Sequence, residues 1–315
     1  MSSDSVHQPV MLAETLDALA VQPGRVYLDA TLGGGGHSVA ILDASAPDGR
    51  VLGIDLDPRS LDLASRRLEP YGERFKPLGG SYGDMVALAR SLGVSLVDGV
   101  VMDLGFSSRQ IGTAGYGFSF QNDEPLDMRY DPVNPLTAAD VVNNYSEQEL
   151  ARIIYEYGEE PRSRQIARRI VASRPVQSTA QLARLIASAM GPRRGRRIHP
   201  ATRSFQAIRI AVNDELGNLD EGLNAAIQLL APMGRLAVIS YHSLEDRAVK
   251  NFLQGQSSQC ICPPEVPVCV CGHQPTLKLV HRRVIKPSSA EIEDNPRSRS
   301  AKLRVAYRLQ DPDGK

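Results

Sequence analysis

Leu28-Asp-Ala-Thr-Leu-Gly33-Gly-Gly-Gly36-His37-Ser38 sets four consecutive glycines where an apolar run, Arg25 to Leu32, gives way to a helix-like segment, Ser38 to Asp43. A residue without a Cβ lets backbone come close to a ligand, and a helix starting there offers free N–H groups. Asp55 lies at the end of the next apolar run, Arg50 to Leu56, 22 residues after Gly33. A carboxylate so placed can accept hydrogen bonds from ribose hydroxyls. The spacing therefore predicts a strand–loop–helix cradle for a nucleoside-bearing cofactor.

The cradle is not that of a dinucleotide. A G-x-G-x-x-G loop would need a third glycine where Ser38 or Val39 stands, depending on which glycine begins the count. Asp29, just before the glycines, would repel a pyrophosphate but would suit a cationic amino acid group. S-adenosylmethionine carries such a group and no phosphate, so it is the expected cofactor. A nicotinamide-dependent oxidoreductase is the competing enzyme reading, and a flexible glycine-rich surface loop the bland one.

Outward from the loop, strand-like and helix-like segments alternate. Phe75 to Leu78 and Val97 to Leu104 read as further strands, with helical spacing over Pro58 to Leu68 and Tyr82 to Leu92. Such alternation predicts a parallel sheet with helices on both faces. After Gly105 a loop rich in Gly, Phe, Asp and Pro runs to about Pro135. Helical segments follow: Ser146 to Tyr157, opened by the capping-box-like Ser146-Glu-Gln-Glu149, then Pro161 to Ser173, Thr179 to Met190, and Pro200 to Val212 continuing toward Leu230. Strand patterning resumes at Arg235 to Tyr241, Leu277 to Val284 and Lys302 to Leu309. The expectation is an α/β sheet, residues 1–134 and 215–315, interrupted by an all-helical insertion over 135–214.

Bulk composition bounds the class. The 315 residues are 42% hydrophobic, enough for a sizeable core, and 36 basic residues balance 36 acidic ones. The balance conceals an asymmetry. Residues 1–150 hold 21 acidic and 10 basic side chains, a net of −11, whereas residues 161–210 hold 12 Arg and no acid. Solvated faces normally mix signs, so this block points to a polyanion partner. Its densest part, Arg193-Arg-Gly-Arg-Arg197 with Arg203 nearby, suits bidentate phosphate contacts. No apolar run approaches the roughly 18 residues of a membrane helix, and the N-terminal stretch lacks signal-peptide character, so a cytoplasmic location is expected.

The fourth strand ends in Asp103-Leu-Gly-Phe106-Ser-Ser-Arg-Gln110. At the carboxyl edge of an open parallel sheet such residues border the ligand cleft. Amino-directed methyltransferases carry an Asp/Asn/Ser-Pro-Pro-Tyr/Phe tetrapeptide there. This chain keeps the acid and the aromatic, Asp103 and Phe106, without the prolines. A turn capped by Asp103 is the alternative.

Cys260-x-Cys262 and Cys269-x-Cys271, with His273 close by, resemble two metal knuckles. Structural zinc usually prefers C-x2-C, so these cysteines are read as unliganded thiols and no metal site is assigned.

Taken in order, the motifs resemble the bacterial small-subunit ribosomal RNA cytosine-N4 methyltransferases, the MraW family. The matching stretches include Asp29-Ala-Thr-Leu-Gly-Gly-Gly-Gly-His-Ser38, Gly53-Ile-Asp-Leu-Asp-Pro58, Asp103-Leu-Gly-Phe-Ser-Ser108, Gly117-Phe-Ser-Phe120, Pro125-Leu-Asp-Met-Arg129, His199-Pro-Ala-Thr-Arg203, Phe205 to Leu216, Ile239 to Arg247 and Arg299 to Arg304. They span nearly the whole chain. The resemblance implies a Rossmann-like class I methyltransferase sheet split by a helical substrate-binding module. It also implies S-adenosylmethionine as donor and a cytidine of the 16S decoding region, within a small ribosomal subunit, as acceptor. Carried over by motif, the donor contacts would be Gly35, Gly36, His37, Asp55, Tyr82, Asp103 and Gln110. Gly34 and Tyr82 depart slightly from the pattern, standing where a larger residue and Phe can occur.

The chemistry expected of such a site is modest. The exocyclic amine of cytosine is a poor nucleophile because its lone pair is delocalised into the ring. Asp103, accepting from its N–H, would localise that pair, and so is assigned as the catalytic polariser. A base out of its stack could lie among Phe106, Phe118, Phe120 and Tyr241, although core packing is as good a role for each Phe. His242 could contact substrate or bond its own loop. A non-catalytic RNA-binding assembly factor is the third reading, weighed against by the intact Asp29, Gly33 to His37, Asp55 and Asp103 set.

Overall fold

The computed structural model describes residues 8–105, 115–191, 199–263, 265–266 and 268–310. The chain divides into two compact units, residues 1–105 with 216–315, and residues 106–215.

The first unit is built on a seven-stranded sheet. Its strands are β1 (Val26–Asp29), β2 (Arg50–Asp55), β3 (Phe75–Gly79), β4 (Val97–Asp103), β5 (Leu230–Ser240), β6 (Leu277–Leu279) and β7 (Lys302–Arg308). Their order is β3-β2-β1-β4-β5-β7-β6. The first five run parallel, and β7 lies antiparallel between β5 and β6. The five parallel strands are those the alternation predicts, and the whole is the Rossmann-like α/β sheet the resemblance implies. The order reverses at β1, and in open α/β sheets ligands bind outside the carboxyl ends of the strands at that switch point.

Alternating strand residues feed two apolar layers. Tyr27, Val51, Val101, Ala237 and Ile239 pack with α1 (Leu12–Leu19), α2 (Gly36–Ala44) and α3 (Pro58–Leu68). Leu28, Leu52, Val100, Met102, Leu236 and Val238 pack with α4 (Met85–Ser91), α10 (Glu215–Leu229) and α11 (Ser243–Ser257). Both faces are thus covered, which is why the strands read as near-continuous apolar runs. In α3 the local signals agree: Asp57 accepts from Arg59 N–H at 3.0 Å, Pro58 opens the helix, and Ser60, Ala64 and Leu68 recur at four-residue spacing on its buried side.

The second unit packs α5 (Ala138–Asn144), α6 (Glu147–Glu156), α7 (Ser163–Val171), α8 (Thr179–Met190) and α9 (Thr202–Asn213) around one apolar cluster. The Ser146/Glu149 capping box forms as its sequence suggests, with both reciprocal bonds present. The loop before residue 135 goes with these helices: Leu126 and Met128 are buried in their cluster. Arg129 grips Asp127 through two bonds of 2.9 and 2.8 Å and donates to the Pro132 and Asn134 carbonyls.

Two segments differ from expectation. The helix proposed to continue from Pro200 toward Leu230 breaks at Asp214, whose φ of 44° is left-handed, dividing it into α9 and α10. Of Leu277 to Val284, only Leu277–Leu279 is strand. His281, Arg282 and Arg283 leave the ladder for solvent, and Ile285 rejoins β7 opposite Leu303. Among the described residues no helix is long and apolar enough to cross a membrane.

Candidate active site

The carboxyl ends of β1, β2 and β4 deliver Asp29, Asp55 and Asp103 to one edge of the sheet, beside the glycine loop. Gly35 caps α2 with φ 74°, and a Cβ there would stand 2.9 Å from Leu68 Cδ1. At Gly36 a Cβ would meet Pro9 Cγ at 2.6 Å, whereas at Gly34 the nearest atom is Leu63 Cδ2 at 3.8 Å. The missing side chains at Gly35 and Gly36 therefore let the loop pack against the chain itself, and Arg67 of α3 donates to the Gly34 carbonyl at 3.0 Å.

Asp55 helps shape that loop. Gly33 N–H donates to its Oδ2 at 2.7 Å and Asp57 N–H to its Oδ1 at 2.9 Å. Burial pushes the carboxyl up, and despite both bonds its pKa stands at about 6. Each oxygen has taken one backbone donor, and a carboxylate oxygen can accept two, so room remains for ribose hydroxyls.

Asp29 is not open to a ligand as its position suggests. It is 1% exposed, accepting from Ser38 Oγ at 2.7 Å and from Thr31 N–H at 3.3 Å. Burial raises its pKa, partly offset by His37. It ties α2 back to β1, a positioning role that corrects the direct pairing with an amino acid cation expected from sequence. Ser38, at the start of α2, is its side-chain partner.

Asp103 sits at the end of β4 with its N–H donated to Thr31 Oγ1 at 2.6 Å. Tyr241, just past β5, donates its hydroxyl to Asp103 Oδ1 at 2.7 Å. His37 Nε2 lies 3.5 Å from Oδ2, with the imidazole 6% and the carboxylate 21% exposed. Burial disfavours the His37 cation, but Asp103 and then Asp29 outweigh it and the imidazole pKa is raised. Its Nδ1 is buried without a hydrogen-bond partner among the described residues. Tyr241 is itself held, its N–H donating to Glu245 Oε2 at 2.8 Å. Its phenol pKa is pushed well up, by burial first and then by the Asp103 charge, so it stays a donor.

Tyr82 opens the short 3-10 turn Tyr82–Asp84 after β3, and its ring occupies a notch at Gly222 of α10, where a Cβ would lie 2.4 Å from the ring. A shallow groove of about 460 Å³ between α4 and α10 adjoins this turn through Gly83. Asp29, His37, Asp55 and Asp103 do not line it, and their chemistry rather than its volume marks the site.

Other candidates take structural places. His242 caps α11, its Nδ1 accepting from Glu245 N–H at 3.3 Å, which favours the loop-bonding role over substrate contact. Phe118 lies against Tyr116 and Tyr130, and Phe120 between His199 and Phe205 at 4.5 and 5.0 Å, so both belong to the packing of the helical unit. Arg174 donates to the Val142 and Tyr145 carbonyls, Arg162 to the Met190 carbonyl, and Arg209 makes a buried bidentate pair with Glu215. Part of the acid-free block thus supports the helices. Arg203, 49% exposed, donates to the Glu159 carbonyl at 3.1 Å. Phe106, Gln110, Arg193, Arg194, Arg196 and Arg197 lie outside the described residues.

These groups fit the sulfonium nucleoside expected as cofactor. The carboxylates of Asp55 and Asp103 end β2 and β4 at this edge, a field hostile to a pyrophosphate and favourable to a cation, while Asp29 and Asp57 are buried. The orphaned His37 Nδ1 and the spare lone pairs of Asp55 await polar partners.

The model of the MraW methylase family matches residues 4–309. The chain is 52% identical over 308 residues to "Ribosomal RNA small subunit methyltransferase H" of Thermomicrobium roseum, covering 97% of this chain and 94% of that protein. The protein of the same name from Carboxydothermus hydrogenoformans is 53% identical over 306 residues, covering 96% and 98%. That from Geobacter sulfurreducens is 52% identical over 308, covering 96% and 99%. With likeness of that extent along nearly its whole length, the chain belongs to the MraW methylase family.

Proposed function

We propose that this protein transfers a methyl group from S-adenosylmethionine to the exocyclic N4 of a cytidine in the decoding region of 16S ribosomal RNA. It would act in the cytoplasm, on the small ribosomal subunit. The names of its relatives support a ribosomal RNA substrate, and the motif resemblance supports the N4 position. The observation that carries the chemistry is the fixed Asp103 carboxylate, bonded to Tyr241 on one oxygen and facing His37 with the other, at the edge shared with Asp55 and the glycine loop.

S-adenosylmethionine supplies an electrophilic methyl group on a sulfonium. Asp55 would accept from its ribose hydroxyls, the Gly35-Gly36-His37 turn would line its amino acid end, and Tyr82 would flank the adenine. Asp103 accepts an N4–H of the cytosine, concentrating the amine lone pair for in-line attack with reacting atoms about 3 to 3.5 Å apart. With the donor bound, its methyl group would pass from sulfur to N4, and Asp103 would carry the surplus N4 proton to water. No strong base is required, and positioning supplies most of the rate. Phe106 and Tyr241 remain from the aromatics considered for stacking the base, since Phe118 and Phe120 are committed to packing.

Arg193, Arg194, Arg196, Arg197 and the half-exposed Arg203 would meet the phosphates of the RNA. The test is incubation with labelled S-adenosylmethionine and small subunits lacking the modification, followed by nucleoside mass spectrometry. N4-methylcytidine in the RNA is expected. Label only in protein, or on cytosine carbon 5, would overturn the reading.

A further inference from the structure

We propose that Cys260, Cys262, Cys269 and Cys271 form a structural zinc site made of four thiolates. Their Sγ atoms all lie within 4.8 Å of one another, with 3.5 Å between Cys269 and Cys271 and 3.9 Å between Cys260 and Cys271. A tetrahedral Zn²⁺ with bonds of about 2.3 Å has sulfur–sulfur edges of roughly 3.8 Å, so the four could close on one ion with only small shifts. The C-x-C spacing that argued against a metal concerns each pair alone. In the structure the two short turns bring their thiols to a common centre.

Hydrophobic burial does not explain that convergence. Ile261, Val268 and Val270 beside the cysteines are 56, 70 and 81% exposed, and Cys260 and Cys269 are themselves exposed. The excursion they belong to is closed at its base, where Thr276 donates to the Gln256 carbonyl at 3.0 Å and to its side chain at 2.7 Å. A segment lacking its own core commonly draws order from a metal, whose binding energy becomes folding energy. Cys262 N–H donates to Cys260 Sγ at 3.4 Å, a contact of the kind that orients a thiolate ligand. Four soft sulfur donors select Zn²⁺ over Mg²⁺ or Ca²⁺. His273 stands outside the cluster, its Nε2 3.1 Å from the Gly255 carbonyl at the end of α11. Each thiol loses its proton on ligation, leaving a site of net charge −2.

The full chain, purified under reducing conditions without chelator, should contain about one zinc per molecule by mass spectrometry of the metal. Exchange with Co²⁺ should give thiolate-to-cobalt charge transfer and the intense visible bands of a tetrahedral site. Cys260→Ser or Cys271→Ser should weaken Zn²⁺ at least about tenfold in chelator competition while leaving S-adenosylmethionine binding within about twofold. Metal-free protein with no cobalt–thiolate spectrum, or non-reducing thiol counts showing these cysteines paired as disulfides, would overturn the proposal.

Discussion

The Tyr241 hydroxyl donates a 2.7 Å hydrogen bond to Asp103 Oδ1, joining the carboxyl ends of two adjacent parallel strands, β4 and β5. The bond leaves the carboxylate one settled orientation at the edge where, in the proposed reaction, the acceptor amine would arrive. Removing a donor from a charged group costs about 1.5 to 3 kcal/mol. Tyr241→Phe should therefore lower kcat by about tenfold or more while leaving the donor Kd within about twofold. Single-turnover methylation and calorimetric donor titration check the split. A variant that loses donor affinity instead would place Tyr241 in the cofactor pocket.

Donor binding should weaken in acid through Asp55. Its carboxyl titrates at about 6 because burial outweighs the two backbone bonds it accepts. Only the ionised form accepts two ribose hydroxyls well, so affinity should fall about tenfold between pH 7 and pH 5 as the competent fraction shrinks. Folding runs the other way. A carboxyl raised above its unfolded value of 3.8 contributes stability below that value and loses it as pH rises through about 6. An acid-induced drop in affinity thus cannot be blamed on this group unfolding the protein. Asp55→Asn should bind weakly with a flat pH profile; a profile unchanged from the parent protein would contradict the assignment.

The glycine loop should tolerate substitution unequally. Gly35→Ala forces a left-handed alanine toward Leu68 Cδ1 and should destabilise by about 1 to 3 kcal/mol. Gly34→Ala, with Leu63 Cδ2 3.8 Å away, should stay within about 0.5 kcal/mol. Urea unfolding of the two variants discriminates them, and equal losses would refute the packing explanation.

Arginines of the acid-free block should separate into two classes. Arg193, Arg194, Arg196 and Arg197 replaced together by Ser should reduce the salt dependence of RNA binding by about three in log–log slope, if each meets one phosphate. Arg174→Met should leave that slope unchanged and lower the melting temperature, because the guanidinium holds the Val142 and Tyr145 carbonyls. Filter binding across a salt series, with thermal melts, tests both.

The buried pair of the helical unit offers a stability test. Arg209 and Glu215 are each 9% exposed and joined by bonds of 2.7 and 2.8 Å. Arg209→Met, leaving the Glu215 charge buried, should cost about 3 to 5 kcal/mol, and adding Glu215→Leu should recover most of it. Non-recovery in denaturant unfolding would mean that the carboxylate serves another partner, such as the Tyr130 hydroxyl at 3.3 Å.

The strands and the longer helices were legible because burial on both faces writes continuous apolar runs, and amphipathic packing writes a helical period. Thr179–Met190 and Pro58–Leu68 have the bounds their patterns predict. What stayed hidden depended on less familiar caps. The helix Ala138–Asn144 starts on a Thr137/Asp140 box and Ser243–Ser257 on His242 with Glu245, neither of which matches the usual Ser/Thr with Glu/Gln signature. The placement of the three acids was legible, since Asp29, Asp55 and Asp103 each end a strand. Their partners were not, because Ser38, Thr31 and Tyr241 reach them through turns and neighbouring strands that spacing cannot register. The arginine block misled in part: a run of one sign counts charges but not the carbonyls they bind.

The central claim is most directly tested by crystallising the protein with S-adenosylhomocysteine. The ribose hydroxyls should lie within hydrogen-bond distance of the Asp55 carboxylate, the adenine beside Tyr82, and the sulfur turned toward Asp103. A ligand bound elsewhere, or an Asp55 carboxylate still satisfied only by Gly33 and Asp57, would contradict it.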